Sequence, residues 1–138
     1  MNRTDFKRLS GLRLREAKVL LRSGLYHGSY YLAGYAVECA IKACICKRTK
    51  RFDFPDKELA KEAWVHDLGK LIAVAELSGD LEHACKSNRG LEVNWATVKD
   101  WSEAKRYDTT VSGQTADAFY LACTRKADGV LPWVRARW

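Results

Sequence analysis

Proline is scarce in this chain, with only Pro55 and Pro132 among 138 residues, and no Ser/Gly or Gln/Asn tract accompanies it. Together with 47% hydrophobic residues, this excludes a largely disordered or low-complexity chain. No segment alternates apolar and polar residues over a useful length, so there is no strand pattern. Several segments instead repeat at three and four, which predicts an all-α protein. No apolar run reaches the ~20 residues of a membrane span, and the longest one contains both Glu38 and Lys42. The opening residues MNRTDFKRLSGLRLREAK hold no apolar h-region. The expectation is therefore no signal peptide, no membrane association and a cytoplasmic location. A glycine-rich phosphate loop, a Ser-His-Asp ordering and metal-ligand spacings are also missing, so neither a metal nor a cofactor is expected.

Five cysteines make an odd count, and Cys39, Cys44 and Cys46 share one expected helix. Cys44 and Cys46 point about 200° apart on such a helix, so reduced, buried thiols are the reading preferred over a metal pair. The length suits one domain over residues 1–138, able to hide roughly 65–70% of its unfolded surface. The net charge of +7 is unevenly placed. Residues 1–51 hold twelve Lys/Arg against three Asp/Glu, and residues 52–104 hold six against eleven. Basic ends around an acidic middle suit a polyanionic partner such as RNA or nucleotide phosphate, and equally suit a solvated face.

The first helix is expected from about Thr4, as its cap, to Gly24. Phe6, Leu9, Leu20 and Leu21 form its apolar side, and Arg8, Arg15, Lys18 and Arg22 a basic ridge suited to nucleic-acid contact. Arg13 falls within the apolar side and is expected to reach a buried acid, Glu38. After a turn at 25–28, Ser29 to about Lys50 is apolar almost all round and belongs at the centre of a bundle. The run 51–56 is a breaker. Shorter helices are expected over 57–64, 68–77 and 80–86, then from Glu92 to about Arg106, with Trp95, Val98 and Trp101 spaced three apart. A last helix starts near Ser112 and carries Phe119, Ala122, Cys123, Val130 and Val134 inward, with Gly129 and Pro132 bending its end.

Within the central helix, Tyr31, Tyr35, Glu38 and Lys42 occupy a stripe about 60° wide. One reading is a wet helix edge with an i,i+4 ion pair worth ~0.5 kcal/mol. The other is a line of side chains facing a groove or a dimer interface, because a charge partly removed from water has to be paired. His66 next to Asp67 offers either an acid-base dyad or a helix cap with a neighbouring imidazole. Arg106 and Tyr107 suit a phosphate and a base, and an Arg at a helix C-terminus also suits the dipole. The five tryptophans are read mainly as core.

The run from Gly24 to Lys42 with its Glu38-x-x-x-Lys42 pair, then His66-Asp67-Leu68-Gly69-Lys70-Leu71, and later Arg106-Tyr107-Asp108, resembles the HEPN domain. That family is named for higher eukaryote and prokaryote nucleotide binding, and the resemblance covers nearly the whole chain in order. It implies a four- to five-helix up-and-down bundle, generally a homodimer, found alone or beside a minimal nucleotidyltransferase in toxin-antitoxin or defence settings. Many members are metal-independent ribonucleases that use an Arg and a His separated by four to six residues. From Arg106 that spacing reaches only Val111, Ser112 and Gly113, and the one match, Arg22 to His27, lies in an interhelical turn. The resemblance therefore implies a nucleotide- or RNA-binding protein, non-catalytic or partnering a nucleotidyltransferase. The expected ligand residues are Tyr31, Tyr35, Glu38, Lys42, Arg106 and Tyr107. The alternatives are a divergent endoribonuclease drawing on Arg106, His66 and Tyr107, or a purely structural interaction module.

Overall fold

A computed structural model describes residues 1–49 and 57–138. The breaker expected at 51–56, and the expected end of the central helix at Lys50, lie outside the described residues. Eight α-helices and one 3-10 turn make up the described fold, with no strand among the described residues, so the all-α expectation stands. None of these helices is long and apolar enough to cross a membrane.

Helix α1 (Arg3–Arg22) begins two residues earlier than expected: Asn2, not Thr4, is the cap. The Asn2 side chain accepts from the Asp5 amide, and the Asp5 carboxylate accepts from the Asn2 amide, which satisfies two otherwise orphaned donors. Gly24, at φ +74°, takes the left-handed conformation that releases the chain into α2 (Tyr26–Arg48), three residues before the start expected at Ser29.

The two long helices form an antiparallel hairpin whose seam is made of small residues. Ser10 Oγ donates to the Ala36 carbonyl and Ser29 Oγ to the Ala17 carbonyl, each at 2.8 Å, and all four residues are fully buried. The leucines expected to form the apolar side of α1 are only partly buried. Close backbone approach selects Ser and Ala at the seam, and the hydroxyls find carbonyls on the opposite helix. This register sets Arg13 opposite a point five residues before Glu38, about 7 Å away along the axis. Arg13 accordingly pairs with Glu16 at 2.6 Å and lies over the Tyr35 ring, rather than reaching Glu38 as expected.

Helix α2 is central. Twelve of its residues are buried by the rest of the same chain. Against it pack α1, α4 (Leu68–Val74) and the last two helices of the chain, while α3 (Lys57–Ala63) packs on α4 and α5 (Ser78–Ser87) on α6 (Arg89–Val98). Asp67 caps α4 as expected, accepting from the Lys70 amide at 2.8 Å, and Asn88 caps α6 through the Leu91 amide. The helix expected to run to Arg106 stops at Val98. Trp101 then turns inward, 1% exposed, and a 3-10 turn covers Glu103–Tyr107. The expected last helix is two, α7 (Gly113–Thr124) and α8 (Val130–Arg135), with Ser112 capping the first. The chain bends tightly before Gly129, where a Cβ would lie 2.5 Å from the Arg125 carbonyl oxygen.

Candidate functional site

Gly34 interrupts the small and apolar surface of α2, and the reason lies across the helix. A Cβ at this position would sit 2.2 Å from the Trp101 indole nitrogen, so the missing side chain lets the indole lie directly on the helix backbone. Trp101 stacks on Tyr31 with ring centroids 5.8 Å apart, and Tyr31 stacks on Tyr35 at 6.2 Å. The indole is the anchor of the following 3-10 turn. It holds Glu103 and Arg106, three residues apart, against the polar line of α2.

That line is wet at one end and buried at the other. Glu38 is 1% exposed, and its Oε1 accepts from Lys42 Nζ at 2.8 Å while also facing His66 Nδ1 at 3.0 Å. On the other side of the imidazole, Nε2 stands 2.8 Å from Glu103 Oε2. The second oxygen of Glu38, Oε2, is buried without a hydrogen-bond partner among the described residues. Lys42, Glu38, His66 and Glu103 thus form one chain of polar contacts joining α2, the start of α4 and the 3-10 turn. The carboxylates occupy opposite nitrogens of a single ring and do not converge, and no His/Cys/Asp/Glu group among the described residues forms a metal cage.

The same environment raises its neighbours. Burial first, and then the Glu38 carboxylate, push the Cys39 thiol up to about 12, and burial pushes Cys44 to about 11. Neither thiol is a nucleophile near neutrality. Burial, followed by Cys39 and Glu38, also raises the Tyr35 hydroxyl. Arg106 is fully exposed. Its guanidinium lies 4.8 Å from the Tyr107 ring centroid and is held in the charged form first by the Tyr107 hydroxyl and further on by that of Tyr31.

The six residues expected to bind a ligand fall into two contact groups, one of Tyr31, Tyr35, Arg106 and Tyr107 and one of Glu38 and Lys42. Tyr31 and Tyr35 stack, Glu38 and Lys42 pair, and Arg106 stands with Tyr107 beside Tyr31. His66 joins the second group through Glu38. Arg106 lies in a 3-10 turn rather than at the C-terminus of an α-helix, so the dipole argument for it lapses. The ridge residues Arg8, Arg15, Lys18 and Arg22 are exposed along α1 and make none of these contacts. Arg22 and His27, the lone match to the family spacing, are both exposed near the hairpin turn and outside this cluster. Sequence reasoning missed Glu103, Trp101 and Gly34. A glycine in the middle of an apolar helix was the available signal for the last two, since it marks a close approach.

A helical bundle with stacked aromatic rings, an exposed guanidinium and a buried carboxylate on one side of its central helix defines an all-α protein with a polar side-chain cluster. The family model described as the HEPN domain matches residues 5–136, nearly the whole chain, and the chain belongs to the HEPN domain family. No curated protein and no solved structure gives a significant match.

Proposed function

We propose that this protein binds RNA or a nucleotide on the face where the 3-10 turn meets α2. Arg106 takes a phosphate there, and the rings of Tyr107 and Tyr31 offer stacking faces. The observation that carries this reading is the position of Arg106: exposed, charged, and flanked by two tyrosines, one of which is 73% exposed. A guanidinium binds phosphate bidentately, and tyrosine faces accept any base. The basic ridge of α1 supplies further phosphate contacts that do not depend on sequence.

Binding is favoured over cleavage because both nitrogens of His66 are engaged by carboxylates, which leaves the ring no free position for a substrate proton. The specific observation behind the ribonuclease alternative is that one short turn places both Glu103, on His66, and Arg106. Homodimerisation, and pairing with a nucleotidyltransferase in a toxin-antitoxin or defence setting, belong to the same proposal and rest on family membership. The exposed Tyr107 and Trp64 are the apolar groups nearest in sequence to the site's own residues that such a contact would cover.

Fluorescence anisotropy with a labelled single-stranded RNA tests the binding reading. Arg106→Ala should weaken binding about tenfold, the loss of one charge-assisted contact. The same RNA incubated in EDTA should remain intact. Cutting that disappears in both His66→Ala and Arg106→Ala would replace binding with metal-independent cleavage. Light scattering should return twice the chain mass.

A further inference from the structure

A cavity that shares no residue with the α2 cluster opens where the end of α1 and the first residue of α2 face α7. Its volume is about 440 Å³, within the usual range for small-ligand sites. Leu21 and Leu121 give it apolar surface, and Tyr26 and Tyr120 give it two aromatic rings. Gly113 is what lets Tyr26 take its place, since a Cβ there would lie 2.7 Å from the ring. Lys18 and Arg22, one turn apart on α1, line the same space, and neither forms a hydrogen bond or ion pair within the described residues. Asp117 on α7 also lines it without forming such a pair. The Tyr120 hydroxyl is raised, chiefly by burial, so it stays a neutral donor and acceptor at ordinary pH, with the charges of Arg22 and Arg135 acting on it.

Two unengaged cations, two ring faces and one acceptor-only carboxylate define a chemistry. The cations suit a phosphate, the rings suit a flat heterocycle, and the carboxylate suits hydroxyl or amino donors between the two. A plain inorganic anion would leave the rings unused and bring its charge near Asp117. An uncharged ring would leave the cations unanswered. We infer that this cavity is a second binding site, for a small ligand that joins a flat ring to a phosphate through a hydroxyl-bearing linker, as a nucleoside monophosphate does.

Calorimetry with AMP, adenosine and inorganic phosphate tests the inference on the whole chain, with amide chemical shifts to locate the ligand. AMP should bind and move resonances of α1 and α7, and adenosine and phosphate should each bind at least tenfold more weakly. Lys18→Ala and Arg22→Ala alter exposed residues and leave folding intact. Each should weaken AMP about tenfold, as the loss of a charge-assisted phosphate contact does. Tyr26→Leu should do the same by removing a ring. Arg106→Ala should leave the AMP-induced shifts of α1 and α7 in place, which separates this site from the α2 face. Three results would each overturn the inference: no AMP-induced shift of α1 and α7, equal shifts there with adenosine and AMP, or shifts there that vanish in Arg106→Ala and persist in Arg22→Ala.

Discussion

Two rows of charge run along the paired helices α1 and α2 at the same helical spacing, and they meet opposite fates. Arg8, Arg15, Lys18 and Arg22 stand exposed on α1 with no ion-pair partner among the described residues. On α2, Glu38 is buried, with Lys42 and His66 both on one oxygen. Spacing sets which residues share a face; the neighbours decide whether that face is solvent or interior. The exposed row is free to meet a polyanion and contributes little to stability. The buried row ties three elements together and positions the 3-10 turn that presents Arg106.

The largest test of this contrast is Glu38→Ala. It leaves Lys42 uncompensated in a mostly buried setting and releases His66, so chemical denaturation should show a loss of about 3 kcal/mol. A loss no greater than that of a ridge residue would erase the distinction between the rows. Next comes Gly34→Ala, expected to cost about 2–3 kcal/mol by driving a methyl group into the Trp101 indole. It should also weaken RNA binding, because Trp101 anchors the turn that carries Arg106. A neutral Gly34→Ala would mean that the indole moves freely and does not position the site.

Alkali should sharpen the contrast from a different direction. The buried thiol of Cys39 is raised to about 12, against about 9 when unfolded. A raised folded value means full stability below pH 9 that is lost as pH rises toward 12, because only the unfolded chain gives up the proton. Within that window stability should fall by about 1.4 kcal/mol per pH unit for this group. Cys39→Ala should flatten the profile, and an unchanged profile would place the alkaline loss elsewhere. The smallest expected effect on stability belongs to Arg8→Glu with Arg15→Glu, within about 0.5 kcal/mol for each exposed substitution.

Much of the fold was legible because its signals are local. The near-uniform apolar surface of the α2 sequence marks a central helix, Gly24 marks a helix end, and Asp67 before Leu68 marks a cap. The stripe of Tyr31, Tyr35, Glu38 and Lys42 was legible as one line for the same reason. What escaped depends on partners distant in sequence. Trp101 continues a three-residue spacing from Trp95 and Val98, yet it leaves the helix because Gly34, sixty-seven positions earlier, offers it a flat seat. Glu103 has no local pattern, and its role exists only once His66 stands between it and Glu38. Arg13 found Glu16 on its own helix because the Ser10 and Ser29 seam fixes a register that keeps Glu38 out of reach.

The central claim is that the α2 face with Arg106 and the ridge of α1 do different work on one ligand. It is tested most directly by the salt dependence of RNA affinity in three proteins: the parent, Arg8→Glu/Arg15→Glu, and Arg106→Ala. The parent should show a log–log slope of roughly −3, from about four neutralised single-strand phosphates. The ridge variant should flatten that slope by at least about one unit. Arg106→Ala should shift the whole line to weaker affinity and keep the shift at high salt, where contacts along the ridge are screened. Salt-independent binding, or an Arg106→Ala line that merges with the parent at every salt concentration, would contradict the account.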